Sequence, residues 1–313
     1  MSFSRLLKFQ LPMLRGHDVL EVQLRLKALQ MNSIGQPDGL FGARTSAAVV
    51  EFQKGHHLDC DGIVGPLTWS SLFQDDSVPS RLRLAANDAD NDFINLELLN
   101  LLKIRHAAYD DGIYWQLSAK GLLLGQDNSP LGSGGEPKTV ATVWEKFEEP
   151  LTTYANKFKV PVELLIATIC TESSGNPKAL RKEPGFIDEV RTPNKVSPGL
   201  MQTLISTARA ALNQDDINQA WLLEPDNSIH AGSAYIASQW KLTHFDPPKV
   251  ACAYNAGGIY YNNSAKNRWK MRQYPIGTAE HADRFIKWFN DCFIYFDQLA
   301  KAPTCSFFNA LNS

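Results

Sequence analysis

Residues 164–176 read Leu-Leu-Ile-Ala-Thr-Ile-Cys-Thr-Glu-Ser-Ser-Gly-Asn, an apolar run that ends in one carboxylate, Glu172. Leu165, Ile169 and Glu172 are spaced to share one face of a helix. The run is apolar on nearly every side, which is typical of a helix buried at the centre of a domain. A carboxylate in such surroundings costs free energy unless it is paired or protonated, so Glu172 requires an explanation.

The ends of this helix are marked in the sequence. Pro161 suits the first turn, Glu163 suits the positive end of the helix dipole, and Gly175 is a stop signal. Glu172 is therefore predicted on the last turn, where burial and the negative end of the dipole both favour the protonated acid. A glutamic acid with a raised pKa suits general acid catalysis. From this segment alone, a buried ion pair with an arginine or lysine is an equally good explanation.

Composition limits the class of protein. The chain has 313 residues, 44% of them hydrophobic, which is enough for two domains. The formal net charge of −2 argues against nucleic acid as the main partner. The five cysteines are irregularly spaced, and we expect free, buried thiols.

A short repeat organises the N-terminal part of the chain. Residues 38–42, Asp-Gly-Leu-Phe-Gly, are followed by Thr45, and residues 61–65, Asp-Gly-Ile-Val-Gly, are followed by Thr68. Each copy predicts a tight turn with a glycine at positive φ and a threonine near a helix start. Together with Gly16-His17-Asp18-Val19, Gln23, Leu26, Phe52-Gln53, Trp69 and Leu72, the pattern resembles the small three-helix peptidoglycan-binding domain of cell-wall hydrolases. The resemblance implies a wall anchor without catalytic activity.

Three further motifs follow Glu172-Ser173 in the sequence. They are Gly199-Leu200-Met201-Gln202, then Asn227-x-Ile229-x-x-Gly232-x-x-Tyr235, and then Ala253-Tyr254-Asn255-Ala256-Gly257. In this order they resemble the soluble lytic transglycosylase family, over about residues 150–290. The resemblance implies a mainly α-helical, lysozyme-like catalytic domain around a saccharide groove.

Residue roles are implied by the same resemblance. Glu172 takes the catalytic position, while the substrate-binding residues are Ser173, Gly199, Met201, Gln202, Tyr254 and Asn255. The family closes with an Ile-Pro-x-x-Glu-Thr-like segment whose glutamate faces the substrate. Residues 274–280, Tyr-Pro-Ile-Gly-Thr-Ala-Glu, match it with altered spacing, so Tyr274 and Glu280 are further expected substrate-binding residues.

Two reaction routes remain open. The resemblance implies cleavage of the β-1,4 bond between N-acetylmuramic acid and N-acetylglucosamine, with Glu172 acting as acid and then as base to give a 1,6-anhydro sugar. Goose-type lysozymes share the fold and use water instead, activated by a second carboxylate. Glu183, Asp188 and Glu189 lie between Glu172 and Gly199 and are candidates for that role.

Two other classes are weaker alternatives. A zinc peptidase needs clustered ligands, but His56-His57, His230, His244 and His281 have no metal-ligand spacing. A Cys170–His230 peptidase would need a reactive thiol, whereas Cys170 lies within the apolar helix. The second alternative is a wall-binding protein without enzymatic activity, and the intact order of the catalytic-type motifs argues against it. We expect no metal and no cofactor.

The predicted organisation is a peptidoglycan-binding domain at residues 1–75, a linker at 76–90 and a catalytic domain at 91–313. The first fifteen residues lack the apolar core of a signal peptide, and no segment is long enough to span a membrane. We therefore expect no stable membrane association. We also expect a monomer. In this interpretation it is a bacteriophage endolysin, held in the host cytoplasm until a membrane pore releases it to the peptidoglycan.

Overall fold

The computed structural model of the chain describes residues 6–10, 13–31, 33–35, 37–56, 58–74, 96–134 and 137–312. The predicted linker at residues 76–90 lies outside the described residues. The chain divides into two compact units, one of Met1–Asn91 with His106–Asp111 and the other of Asp92–Arg105 with Gly112–Ser313. The predicted mainly α-helical fold is confirmed.

The described residues form helices and a few short strands. The helices are α1 (His17–Ala28), α2 (Ala43–Gly55), α3 (Pro66–Gln74), α4 (Leu96–Lys103), α5 (Lys138–Phe158), α6 (Val162–Ser173), α7 (Ile205–Leu212), α8 (Gln219–Leu223), α9 (Pro225–Ser238), α10 (Trp240–Thr243), α11 (Pro247–Ala256), α12 (Glu280–Phe296) and α13 (Phe307–Asn312). The strands are β1 (Trp115–Ser118), β2 (Gly121–Leu124), β3 (Leu180–Lys182) and β4 (Val196–Pro198), and one 3-10 turn covers Pro193–Lys195. None of the helices in these described ranges combines the length and apolar character needed to cross a bilayer.

The first unit is built around the repeated turns. Gln23 on α1 accepts hydrogen bonds from the backbone N–H groups of Asp38 and Gly39 at 3.0 and 2.7 Å, and its amide nitrogen lies 2.9 Å from Thr45 Oγ1. Gly39 has a φ of 71°, as the turn prediction required. The buried glutamine thus replaces the backbone partners that a tight turn lacks.

The second turn is held in the same way by Gln53 on α2. Its amide oxygen accepts from Gly62 N at 2.9 Å, and its nitrogen donates to Asp61 Oδ1 at 2.8 Å and contacts Thr68 Oγ1 at 3.1 Å. Gly62 has a φ of 70°. The sequence repeat is therefore a structural repeat, and both glutamines face the core between the helices.

Helix α6 is the centre of the second unit. It packs against α5, α9, α11 and α12, and every residue from Val162 to Thr171 is buried. This confirms the central buried helix that the apolar run predicts. The helix ends with Ser174 and Gly175 in the left-handed region, at φ values of 53° and 78°. Glu172 therefore lies on the last turn, as expected.

Two short antiparallel strand pairs supplement the helices. Strands β1 and β2 form one pair, and strands β3 and β4 form the other, with Arg181 opposite Ser197. The β4 strand leads directly into the Gly199–Gln202 segment. The second strand pair therefore brings residues on either side of the 183–195 loop to the same place as the end of α6.

Candidate active site

A cleft of about 540 Å³ contains Glu172. Its walls come from α6, the β3–β4 pair, the segment after β4, α9 and α11. The lining residues are Glu172, Arg181, Glu183, Ser197, Gln202, Thr203, Leu204, Thr207, Tyr235, Tyr254, Asn255, Ala256, Gly257 and Tyr274. A cleft of this size is large enough for a small saccharide segment.

Glu172 has the electrostatics of a general acid. Its side chain is 16% exposed, and burial raises its pKa to about 7 even though Arg284 and Arg181 act in the opposite direction. The nearest basic side chain to its carboxyl among the described residues is His281, at 3.6 Å, and not an arginine or lysine. The alternative of a buried ion pair is therefore not supported, since His281 is itself kept neutral by burial, with a pKa of about 3.

Gly199 shapes the segment that follows β4. It has a φ of +83°, and a Cβ atom there would lie 2.0 Å from the backbone oxygen of Leu222. No side chain fits at this position, so Gly199 contributes by allowing the turn rather than by offering a ligand-binding group. This turn places the next residues, including Gln202, on the cleft wall.

Gln202 lines the cleft with its amide partly used. Its Nε2 donates to the backbone oxygens of Ala179 and Gly199 at 3.0 and 2.8 Å. Both amide hydrogens are therefore engaged, and the amide oxygen is the group that remains for a ligand. Toward a sugar, Gln202 in this arrangement can therefore act as an acceptor.

Two expected groove residues are placed elsewhere. The Met201 side chain is fully buried and packs against Gly232, whose missing Cβ would lie 2.3 Å from the sulfur. Ser173 donates its hydroxyl to Ile169 O at 3.2 Å and is absent from the cleft lining. Neither side chain is therefore presented to the cleft in this structure, and their substrate-binding role stays a prediction.

Tyr254 lines the cleft with its hydroxyl occupied. It donates to Met201 O at 2.8 Å, so Thr203 is the donor in the 2.7 Å contact between the two hydroxyls. Tyr235 packs near it, with ring centroids 5.2 Å apart, and accepts from Gln239 at 3.1 Å. The Tyr235 hydroxyl hydrogen has no acceptor among the described residues and is available to a ligand.

Asn255 connects the cleft wall to α12. Its Oδ1 accepts from the backbone N–H of Tyr274 at 2.5 Å, and its Nδ2 lies 3.3 Å from Nδ1 of His281. Tyr274 is half exposed at the cleft rim, as expected for a substrate-binding residue. Asn255 thus positions neighbours as well as lining the cleft.

Glu280 and His281, at the start of α12, lie in different surroundings. Glu280 is exposed on the first turn of α12 and does not line the cleft, whereas the next residue, His281, is buried and faces Glu172. The sequence held a signal for this, because His281, Phe285 and Phe289 recur at the four-residue spacing of a buried helix face. Arg181, Thr203 and Tyr235 are among the lining residues that were absent from the expected set.

The rival chemistries lack support in the structure. The Cys170 thiol is buried and its pKa is raised by desolvation, which makes it inert. His230 stacks on Tyr154 at a centroid distance of 4.6 Å. His57 lies outside the described residues, and no group of three potential ligands in the described ranges is placed to hold a metal ion.

Comparisons with known proteins agree with the two-part sequence pattern. A family model described as a transglycosylase SLT domain matches residues 149–275, and one described as a putative peptidoglycan binding domain matches residues 15–72. An uncharacterized protein from the bpoA1 3' region of Kitasatospora aureofaciens is 43% identical over 65 residues, which are 20% of this chain and 55% of that protein. The chain thus spans about half the length of this curated relative.

Solved structures with partial similarity include two transglycosylases. An inactive variant of lytic transglycosylase Slt from Pseudomonas aeruginosa is 19% identical, covering 51% of this chain and 25% of that chain, with a TM-score of 0.37. The 70 kDa soluble lytic transglycosylase from Escherichia coli is 20% identical, covering 52% of this chain and 27% of that chain, with a TM-score of 0.34.

A Burkholderia AP3 phage endolysin is 15% identical over 93% of this chain and 100% of that chain, with a TM-score of 0.28. These structural scores are low and carry no argument. Residues 149–275 of the chain match the transglycosylase SLT domain, and residues 15–72 match the putative peptidoglycan binding domain.

Proposed function

We propose that this protein cleaves the β-1,4 bond between N-acetylmuramic acid and N-acetylglucosamine in peptidoglycan, with Glu172 as the catalytic acid. The observation that carries the proposal is the position of Glu172 in the cleft, with a pKa raised by burial to about 7. At neutral pH a large fraction of such a group is protonated, so it has a proton to give to the leaving oxygen.

We extend the proposal to the product, a 1,6-anhydromuramic acid end. Glu172 gives its proton to the glycosidic oxygen as the C1–O bond breaks. The carboxylate that results then takes the proton of the muramic acid 6-hydroxyl, whose oxygen closes onto C1. A pKa near 7 suits both half-reactions, because the same group must release and recover one proton.

The hydrolytic alternative needs a second carboxylate with free oxygens. Asp188 receives hydrogen bonds from Arg191 N at 2.7 Å and Arg191 Nε at 2.6 Å, and Glu189 accepts from Gln219 N at 2.7 Å. Neither residue lines the cleft. Glu183 does line it, and it is the one carboxylate of the three that keeps the alternative open.

The N-terminal unit is proposed to hold the enzyme on its polymer. The domain assignment of residues 15–72 supports this role. The proposed boundaries are residues 1–75 for the peptidoglycan-binding domain, 76–90 for the linker and 91–313 for the catalytic domain.

For the biological role we propose an endolysin that acts as a monomer, without stable membrane association, and waits in the host cytoplasm until a pore releases it. Expression in the cytoplasm with and without a co-expressed pore protein tests that role, since lysis should require the pore.

A zymogram with purified peptidoglycan tests the activity. Wild-type protein should clear the embedded substrate, and Glu172→Gln should lose nearly all clearing because the amide has no proton to transfer. Glu280→Gln is the matched control, since it makes the same change at an exposed carboxylate outside the cleft. Substantial clearing by Glu172→Gln would move the catalytic role to another residue.

A further inference from the structure

A buried histidine faces the catalytic carboxyl. Nε2 of His281 lies 3.6 Å from Oε1 of Glu172, and the His281 side chain is only 4% exposed. A buried imidazole that has no polar partners is costly, so its two nitrogens should be accounted for. Its partners identify what it does at this site.

The Asn255 amide fixes the tautomer of this ring. Because Asn255 Oδ1 accepts from Tyr274 N at 2.5 Å, its Nδ2 is the atom that faces His281, at 3.3 Å from Nδ1. An NH₂ group only donates, so Nδ1 is an acceptor. The ring is neutral, since burial and the charges of Arg284 and Arg181 lower its pKa to about 3. A neutral ring with an unprotonated Nδ1 carries its hydrogen on Nε2, the atom nearest Glu172.

We propose that His281 is a positioning residue whose Nε2–H donates to Oε1 of Glu172 and leaves Oε2 to carry the transferred proton. At 3.6 Å the two atoms are beyond hydrogen-bond distance in this structure, so the proposal requires their separation to shorten when the cleft is filled. This proposal rests on the proposed function and deepens it. It also assigns Asn255 a role, because that amide selects the required tautomer.

The proton balance of the reaction is unchanged by this residue. Oε2 loses its proton to the leaving oxygen as the C1–O bond breaks. The negative charge on the carboxylate is then stabilised at Oε1 by the Nε2–H donor. Oε2 next accepts the 6-hydroxyl proton as the C1–O6 bond forms. His281 keeps its single proton throughout.

Other ionisable groups near Glu172 come from each surrounding element. Arg181 and Glu183 extend from the β3 region, Tyr235 from α9, Tyr254 from α11 and Arg284 from α12. The two arginines favour the ionised form of Glu172 and oppose a charged imidazole at position 281. Among the lysine, arginine and histidine side chains of the described residues, His281 is the one that lies within 4 Å of the Glu172 carboxyl.

The tautomer is measured directly by long-range proton–nitrogen correlation NMR on the full-length protein. The His281 signals are identified by their loss in His281→Gln. We expect the Nε2–H pattern of a neutral ring from about pH 5 to 8, the range where an ordinary histidine titrates. An Nδ1–H pattern, or a charged ring at neutral pH, would overturn the proposal whatever the activity of the variants.

Two substitutions separate donation from packing. His281→Gln keeps an N–H donor near the Nε2 position, whereas His281→Leu keeps apolar volume and removes the donor. On soluble glycan strands His281→Leu should lower kcat by about 10-fold to 100-fold, the effect of one lost hydrogen bond to a charged group, with KM little changed. His281→Gln should retain most of the activity. His230→Leu and His230→Gln are matched controls outside the cleft.

The pH profile gives a readout that packing alone does not move. Loss of a donor to the carboxylate raises the pKa of Glu172, so the alkaline limb of kcat should shift to higher pH in His281→Leu. If His281→Leu has an unchanged kcat and an unchanged alkaline limb while Glu172→Gln is inactive, the role of His281 is overturned and the proposed function stands. Equal losses in the Leu and Gln variants, with normal melting temperatures, would also contradict it. An active Glu172→Gln would overturn the proposed function and this proposal together.

Discussion

The carboxylate of Glu183 lies 2.8 Å from Nε of Arg181, and both side chains line the cleft that contains Glu172. Glu183 is therefore the candidate for a second catalytic carboxylate, but one oxygen is paired with a guanidinium. The lone pair that accepts from the guanidinium is not available to orient a hydrolytic water. In the proposed mechanism Glu172 acts alone, so Glu183 is the residue that tests the proposal against the hydrolytic route.

Glu183→Gln tests this interpretation. We expect the product to remain an anhydro sugar and the rate to change by less than about tenfold, because the substitution alters the electrostatics near Glu172 without removing a reacting group. Chromatography and mass analysis of digested glycan strands measure both quantities. A loss comparable to that of Glu172→Gln would make Glu183 a catalytic carboxylate and favour the hydrolytic route.

The pH dependence follows from the raised pKa of Glu172. The first half-reaction needs the protonated acid, so kcat/KM on soluble glycan should fall as pH rises through about 7. An ordinary glutamic acid would place that fall near pH 4. Rates measured across a series of buffers at constant ionic strength locate the limb. A limb two pH units or more below neutrality, at about pH 5 or less, would contradict the assignment.

Glu172 should also lower the stability of the protein above pH 5. Its pKa is raised from 4.5 to about 7, so between these values the unfolded chain releases a proton that the folded chain retains. The favourable contribution of the protonated group is complete below pH 4.5 and is lost as pH rises through about 7. The loss is on the order of 3 kcal/mol for a shift of this size.

Glu172→Gln should therefore unfold at a higher temperature than the wild type at pH 8, and at a similar temperature at pH 4. Differential scanning calorimetry at the two pH values measures the difference. Glu280→Gln serves again as the control, because its carboxylate is exposed. A stabilisation of equal size at both pH values would show that ionisation of Glu172 is not its cause.

The repeated glutamines should be essential to the N-terminal unit. Gln53→Ala removes the contacts to Asp61, Ile63 and Thr68 and leaves the Gly62 N–H unsatisfied. We expect a cost of about 2–4 kcal/mol in the unfolding of this unit, since several buried polar groups lose their partners. Binding to insoluble peptidoglycan should weaken, while cleavage of soluble strands stays unchanged.

Lys54→Ala is the matched control for this prediction, because Lys54 is the next residue of α2 and is exposed. Pull-down on purified peptidoglycan and melting curves compare the two variants. Equal binding by Gln53→Ala and the wild type would show that affinity for peptidoglycan does not depend on the turn that Gln53 holds.

The central helix of the second unit could be predicted from the sequence alone. The apolar run and its boundary residues predicted a buried α6 with Glu172 on the last turn, because burial and helix ends depend mainly on local residue types. The Asp-Gly turns of the first unit were predictable for the same reason. Their glutamine partners were not, since Gln23 lies 15 residues from Asp38 and the contact depends on tertiary packing.

The cleft was predicted only in part. Motif order suggested Gln202, Tyr254, Asn255 and Tyr274, and the structure brings these residues into one cleft. The motif order could not distinguish residues on the cleft wall from residues one layer behind the wall, such as Met201. Arg181 was missed because the pairing of β3 with β4 joins segments on either side of a loop. Because the spacing after Tyr274 departs from the family pattern, the motif did not indicate that His281 would be the residue of this segment that lies near Glu172.

The most direct test is the mass spectrum of glycan fragments released from purified peptidoglycan in water enriched in the heavy oxygen isotope. If Glu172 acts alone as acid and then base, the terminal muramic acid will be lighter by one water than a reducing end and will carry no label. Reducing-end muramic acid with one heavy oxygen, formed by the wild type and lost in Glu183→Gln, would contradict the account.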